Sequence, residues 1–137
     1  MRQAGILRLD VGLLDVRQTE SVMASYPESF DHMLAAWNES DPSLVRSHLE
    51  KGLAPQVRFV DPSIDVTGID GFEANVHEVH AKNPGNVYSR ASRIDSQHGF
   101  HRYHWAIHNK DGELVLPGFD VVETDSSGRI VCVWLFR

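Results

Sequence analysis

The chain has 137 residues, 42% hydrophobic and 23% charged, which is enough for one domain around one core and too few for two domains of typical size. A net charge of −6 without any lysine or arginine run disfavours a nucleic-acid or anionic-membrane surface, and no apolar stretch approaches the ~20 residues of a spanning helix. The single cysteine, Cys132, excludes an intrachain disulfide. We therefore expect a cytoplasmic protein without a membrane or nucleic-acid partner.

The N-terminal residues 1–22 precede the first helix signal and are interpreted as an arm of unknown role. One domain is predicted over residues 23–137. Ser25 and Glu28 have the spacing of a capping box, with Pro27 in the first turn, and apolar residues follow at helical spacing. A first helix is therefore predicted from this point.

Two more helices and a short strand follow. Asp41-Pro42 predicts the start of a second helix that ends near Gly52. The segment VRFVDP predicts a strand that stops at Asp61, because the proline after it has no N–H for a sheet ladder. A third helix is predicted from Asp70 to the breaker Asn-Pro-Gly.

The last third of the chain has the pattern of a meander. Four strands, NVYSRASRIDSQ, FHRYHWAIHNK, ELVLPGFDVVET and RIVCVWLFR, are separated by three turns. Helices followed by antiparallel strands predict an α+β domain. We expect a cone-shaped roll in which three N-terminal helices pack on a curved, mainly antiparallel sheet.

The turns fix which side chains of these strands are neighbours. With Asp111-Gly112 as a two-residue turn, Tyr103 lies opposite Asp120, and pairing Thr124 with Arg129 places Val133 opposite Asp120. A bulge at Pro117-Gly118 is the alternative and would turn Asp120 outward. Without it, one sheet face is apolar with a single acid in it: Tyr103, Trp105, Leu116, Asp120, Val122, Val131, Val133 and Leu135.

Two carboxyls in different surroundings can form an acid/base pair. Apolar walls raise the pKa of a carboxyl such as Asp120, so it can stay protonated and donate a hydrogen bond. Asp61, at the rim of the sheet, is better solvated and remains a base. The structural alternative is that Asp120 anchors Tyr103 and that Asp61 caps a turn.

The remaining candidate residues have weaker signals. No metal site is expected among the eight histidines, because no three of them converge on one face, and no cofactor is predicted. His101, on the Tyr103 face, is either a polar ligand contact or a satisfied core histidine. Trp37 and Trp105 are interpreted as core residues, and the second interpretation is that they form cavity walls for a planar ligand.

The opposite face of the last two strands is also apolar. Helices cover only one face of a sheet, so a second subunit is expected to cover the other, giving a homodimer. The face carries Val115, Phe119, Val121, Cys132, Trp134 and Phe136.

Over about residues 26–137 the chain resembles the SnoaL-like, nuclear-transport-factor-2-like superfamily, which includes ketosteroid isomerases, polyketide cyclases and limonene epoxide hydrolase. The resemblance rests on LAAWNESDPS, VRFVDPSIDVTGIDGF and FDVVETDSSGRIVCVWLF. It implies that Asp61 takes the place of the proton-shuttling carboxylate of ketosteroid isomerases and Asp120 that of their protonated oxyanion-hole acid. Their first-helix tyrosine falls near Met33, which cannot donate a hydrogen bond. The Asp-Arg-Asp arrangement of the epoxide hydrolase is not evident, and only Arg90 among the middle-strand arginines is expected to face inward.

The functional hypothesis is an isomerase or cyclase that acts by general acid/base chemistry on a small, apolar, carbonyl-bearing molecule. Asp61 and Asp120 are the predicted catalytic residues. The alternative is a non-catalytic ligand-binding or dimerisation module. The predicted ligand contacts are Met33, Trp37, His101, Tyr103, Trp105, Val133 and Leu135.

Overall fold

The computed structural model describes residues 26–137, so the predicted arm at residues 1–22 lies outside the described residues. The helices are α1 (Ser29–Asn38), α2 (Pro42–Gly52) and α3 (Ile69–Lys82). The strands are β1 (Leu53–Val60), β2 (Asp65–Thr67), β3 (Val87–Arg90), β4 (Asp95–Gln97), β5 (Phe100–His108), β6 (Leu114–Thr124) and β7 (Ile130–Phe136). Within this part of the chain no helix is long and apolar enough to cross a membrane.

The seven strands form one sheet in the order β2-β1-β7-β6-β5-β3, and β4 pairs with β5 beyond the end of β3. Only the β1–β7 pair is parallel among the described strands. The three helices pack on one face of this sheet, and the buried side chains of both layers form one core. The predicted α+β class with a mainly antiparallel sheet is confirmed.

One of the three predicted helix caps is correct; the third helix begins at Ile69 after Gly68, without a side-chain cap, and not at Asp70. Asp41 caps α2 as predicted, since its Oδ1 accepts hydrogen bonds from the Ser43 backbone N–H (3.0 Å) and hydroxyl (2.8 Å). The predicted capping box at α1 does not form, because the helix begins at Ser29 and has no side-chain cap. Instead, the Ser29 hydroxyl donates to the Gly128 carbonyl at 2.6 Å and docks the start of α1 on the β6–β7 turn.

The strand predicted before the His98-Gly99 turn is split into β3 and β4. Arg90 pairs with Trp105 and Asp95 pairs with Arg102, so four residues between these pairs on one side face two on the other. The hydroxyl of Ser92 accepts the His104 N–H at 2.8 Å inside this gap. A side chain thus takes over one hydrogen bond of the interrupted ladder.

The register of β5 and β6 is the one predicted around the acid. Tyr103 lies opposite Asp120 and Trp105 opposite Gly118, without a bulge at Pro117-Gly118. The turn itself is wider than predicted, since Asn109 donates its N–H to the carbonyl of Glu113. A register irregularity between Ile107 and His108 compensates for the wider turn. The pairs from Ile107 toward the start of β5 are therefore the predicted ones.

The register of β6 and β7 is shifted by two residues from the prediction. Asp120 lies opposite Leu135 and not Val133. Because side chains alternate with a period of two, the shift leaves Asp120 on the same face. A bulge near the turn places Ile130 in the core where Val131 was predicted.

The outer sheet face exposes large apolar side chains. The rings of Phe119 and Phe136 stack on each other with centroids 4.9 Å apart, and both are more than a third exposed. Cys132, on the same face, is buried. Val115 is exposed and also borders the interior cavity, next to the irregular end of the β5–β6 ladder.

Candidate functional site in the interior cavity

A cavity of about 510 Å³ lies between the helices and the sheet. Its walls are mainly apolar and aromatic, and its outer part is lined by exposed or half-buried polar side chains of α3 and the loop after it. Pockets of this size hold small organic molecules. The apolar and aromatic walls include Met33, Leu34, Trp37, Phe59, Tyr88, Tyr103, Trp105, Leu116 and Leu135, and the polar part includes Asn75, Glu78, Lys82, Asn83 and Asn86.

Asp120 is the buried acid of this cavity, with 6% of its surface exposed. The Tyr103 hydroxyl donates to its Oδ2 at 2.9 Å, and the Trp105 indole N–H donates to its Oδ1 at 2.9 Å. Burial raises the pKa of Asp120 to about 7, although both hydrogen bonds favour the ionised form and oppose this rise. A carboxyl with this pKa gains and loses its proton near neutral pH.

The strand register explains how both donors reach one carboxyl. Tyr103 lies directly across the β5–β6 ladder from Asp120, and Trp105 is the next residue on the same face. Gly118, opposite Trp105, has no side chain, and a Cβ there would overlap the Trp105 indole and the Phe136 carbonyl oxygen. The glycine therefore leaves the space that the indole occupies beside β6.

Asp61, the second predicted acid, also lines the cavity and is half-buried. It follows β1, and its Oδ1 accepts hydrogen bonds from the Ser63 N–H (2.7 Å), the Ser63 hydroxyl (3.0 Å) and the Ile64 N–H (2.8 Å). Its Oδ2 makes no hydrogen bond within residues 26–137. One oxygen of Asp61 thus stabilises the turn.

The structure brings most of the predicted site residues together. In addition to the two acids, the predicted ligand contacts Met33, Trp37, Tyr103, Trp105 and Leu135 all border the cavity.

Two predicted ligand contacts lie beside the cavity and not on its wall. His101 bridges the hydroxyls of Ser96 (Nδ1, 2.7 Å) and Thr124 (Nε2, 3.0 Å), and its burial lowers its pKa. Of the two alternatives for His101, a ligand contact or a core histidine, its surroundings are those of a core histidine whose two ring nitrogens are both hydrogen-bonded. Val133 lies opposite Val122, and both side chains are fully enclosed in the core.

Three residues of β3, Tyr88, Ser89 and Arg90, border the cavity, and the predicted set of ligand contacts contains none of them. Arg90 faces inward as expected, and its guanidinium donates to Asp31 (2.7 Å) and to the Tyr26 hydroxyl (3.0 Å), so its charge is already paired. Tyr88 is two residues earlier on the same face. Tyr88 could have been identified from the sequence, because the inward orientation expected for Arg90 applies equally to the residue two positions earlier on the same strand.

No three His, Cys, Asp or Glu side chains among residues 26–137 lie close enough together to hold a metal ion. The groups that border the largely apolar cavity include the carboxyls of Asp61 and Asp120, the phenols of Tyr88 and Tyr103, and the indoles of Trp37 and Trp105. A curved sheet with three helices packed on one face and a cavity between the two layers defines an α+β roll.

Solved structures place this roll in a family. A candidate isomerase of the SnoaL-like family from Agrobacterium tumefaciens is 31% identical, with a TM-score of 0.74, over 87% of this chain and 97% of that one. The chain therefore belongs to the SnoaL-like family. No protein-family model and no curated protein matches it.

More distant structures share the fold alone. A candidate polyketide cyclase from Sinorhizobium meliloti is 11% identical, with a TM-score of 0.65, over 82% of this chain and 97% of that one. A protein from Catenulispora acidiphila with a ketosteroid isomerase-like fold, in complex with trimethylamine, is 14% identical, with a TM-score of 0.66, over 82% of this chain and 87% of that one.

Proposed function

We propose that the protein is an isomerase or cyclase that moves a proton next to the carbonyl group of a small, largely apolar molecule bound in the cavity. The observation that carries this proposal is Asp120, a carboxyl that is almost fully buried, oriented by two donors and able to change its protonation state near pH 7. General acid/base catalysts work best when their pKa lies near the operating pH.

The two carboxyls have different surroundings and therefore different roles in this proposal. Protonated Asp120 donates a hydrogen bond to the ligand carbonyl oxygen and stabilises the negative charge that develops there. Asp61 accepts the proton from the neighbouring carbon through its Oδ2, while its Oδ1 stays in the turn. Tyr103 and Trp105 hold Asp120 in one orientation, so no reorganisation is required during the reaction.

The test is proton exchange on a simple ketone. We expect the wild-type protein to accelerate deuterium incorporation at C2 of 1-tetralone in D₂O, followed by NMR. Asp61→Asn should reduce the rate by ~10²-fold or more, because a positioned base contributes a factor of that size, whereas Asp120→Asn keeps a hydrogen-bond donor toward the carbonyl oxygen and should reduce the rate less.

A matched control distinguishes the loss of the base at Asp61 from a disturbance of the turn that Asp61 forms. Asp125 makes the same kind of turn outside the cavity, with its Oδ1 accepting from the N–H (2.9 Å) and hydroxyl (2.7 Å) of Ser127. Asp125→Asn keeps an acceptor oxygen, as Asp61→Asn does, and should leave the exchange rate unchanged. Equal rates for Asp61→Asn and wild type would show that Asp61 only forms the turn.

The second candidate function is a binding module without catalysis. It is favoured by the hydrogen bonds that both acids already make, two to Asp120 and three to Asp61. Met33 also provides no hydrogen-bond donor on the α1 side of the cavity. Binding of 1-tetralone without exchange above the buffer rate would support this function.

A further inference from the structure

Asn75 is a polar residue of the cavity wall whose side chain has no partner. It lies on α3 and is half-buried, and neither its amide nitrogen nor its amide oxygen makes a hydrogen bond within residues 26–137. Both atoms remain accessible to water, because the Tyr88 hydroxyl is the one buried side-chain polar atom without a partner in this range. A ligand in the cavity can therefore reach the Asn75 amide.

The side of α3 that carries Asn75 faces the sheet and the cavity. Gly71, one turn earlier, lies so close to β2 that a Cβ there would be 3.0 Å from the Val66 Cβ. The ring of Phe72 packs on that of Phe59 in β1 with centroids 4.9 Å apart. Residues three and four positions apart are neighbours on a helix surface, so Asn75 extends the row that Gly71 and Phe72 begin. This row leads along the sheet into the cavity wall.

A ligand that fills the cavity removes water from the Asn75 amide. The adjacent core residues of the helix, Phe72 and Val76, are apolar and fully buried, so they offer no hydrogen bond in place of the lost water. A polar group that loses its water without gaining a partner costs about 1–3 kcal/mol. An apolar ligand end is therefore disfavoured at this point of the wall, and a ligand end that forms hydrogen bonds is favoured.

The other polar side chains that α3 and the loop after it contribute to the cavity are in wetter positions. Glu78 and Lys82 pair with each other at 3.0 Å and are 62% and 70% exposed. Asn83 is exposed, and its amide nitrogen already donates to a carbonyl of the same helix. Asn86 is half-buried but follows an exposed turn. Among these side chains, Asn75 is the one that a bound ligand separates from water.

An asparagine side chain offers a hydrogen-bond donor and an acceptor side by side. A primary carboxamide satisfies both at once, because its oxygen accepts from the Asn75 nitrogen while its N–H donates to the Asn75 oxygen. We propose that Asn75 is a specificity-determining residue that pairs with a primary carboxamide of the ligand. This assignment rests on the proposed function and adds a second functional group to the ligand whose carbonyl meets Asp120.

Two ketones of the same shape test this pairing. 4-Oxo-4-phenylbutanamide carries a ketone and a primary carboxamide, and 4-methyl-1-phenylpentan-1-one has methyl groups in place of the amide oxygen and nitrogen. Titration calorimetry gives the ratio of their dissociation constants. Asn75→Leu keeps a branched side chain without polar atoms and should shift this ratio about 30-fold against the amide, which corresponds to two net hydrogen bonds of about 1 kcal/mol each.

Asn86→Leu is the matched control. Asn86 also borders the cavity, and its side chain makes no hydrogen bond within residues 26–137, so this variant should keep the wild-type ratio. The melting temperature of Asn75→Leu should not fall, because the amide that it removes holds no other described residue. Asn75→Ala should shift the ratio in the same direction, and its smaller side chain leaves the cavity open.

An unchanged ratio in Asn75→Leu and Asn75→Ala would overturn the proposal, as would an equal shift in Asn86→Leu or a wild-type protein that binds neither compound. Failure of the proposed catalysis gives a different result. In that case the wild type shows no deuterium exchange on 1-tetralone, while the ratio still shifts in Asn75→Leu.

Discussion

The buried acid predicts a distinct dependence of stability on pH. The pKa of Asp120 is about 7 in the folded protein and 3.8 in the reference state, so the folded protein binds this proton more tightly than the unfolded chain. The stabilisation from the bound proton is therefore fully present below about pH 3.8 and is lost as the pH rises through about 7. Linkage with these two values gives a loss of about 3 kcal/mol between about pH 5 and about pH 8.5.

Asp120→Asn removes the titrating group but keeps a side chain of the same shape. An amide offers one oxygen to two donors, so the variant loses either the Tyr103 or the Trp105 hydrogen bond and is destabilised by about 1–3 kcal/mol at low pH. Above pH 7 the wild type contains a buried charge and the variant does not. The wild type should therefore lose about 3 kcal/mol of unfolding free energy relative to the variant from about pH 5 to about pH 8.5, so that the variant becomes as stable as the wild type or more stable.

Urea unfolding at a series of pH values measures this difference directly. Other titrating groups are common to both proteins and cancel in the comparison. Asp111→Asn, at an exposed turn, is the control and should give a curve parallel to that of the wild type. Parallel curves for Asp120→Asn and wild type would refute the reasoning, because they would mean that Asp120 has the same affinity for its proton in both states.

Three further predictions concern other parts of the chain. Gly118→Ala should destabilise the protein by several kcal/mol in urea unfolding, because the new methyl group takes the space of the Trp105 indole, and unchanged stability would mean that the sheet relaxes around it. We expect a homodimer through the outer face that carries the stacked Phe119 ring. Light scattering should then show dimers for the wild type and monomers or aggregates for Trp134→Glu, whereas a stable wild-type monomer at micromolar concentration would contradict it. A chain that starts at Met23 should melt as the full chain does, and a large drop in melting temperature would show that the arm packs on the domain or its partner.

The parts of the fold that could be predicted from sequence are those with a local signal. Asp41-Pro42 identifies a helix start because a carboxylate can cap the second residue after it and proline suits the first turn. Tyr103 was correctly placed opposite Asp120 because the hairpin is short and the compensating irregularity lies close to its turn.

The parts that could not be predicted depend on contacts between distant residues. The split between β3 and β4 depends on Ser92 taking over a ladder bond of His104, and no local pattern signals a hydroxyl in that role. The helix start at Ser29 depends on a bond to Gly128, which is almost one hundred residues away.

Asp61 and Asp125 show why turn chemistry alone does not reveal which residue borders the cavity. Asp61 and Asp125 are each followed by a serine two positions later, and each accepts the N–H and hydroxyl of that serine. The sequence around them therefore predicts the same turn in both places. Only the fold separates them, because Asp61 borders the cavity and Asp125 does not.

Asp120 differs from Asp61 and Asp125 because the strands that position its carboxyl also form the surroundings of that carboxyl. Alternation on β5 places Tyr103 and Trp105 on one face, and Gly118 leaves the space in which the indole reaches the carboxyl. Both donors favour the carboxylate, yet burial raises the pKa of Asp120 to about 7, so desolvation outweighs two charge-assisted hydrogen bonds. If either donor were removed, the ionised form would lose a hydrogen bond and the pKa would rise further. The phenol and the indole therefore keep the pKa of this buried acid within the range where it can exchange a proton at neutral pH.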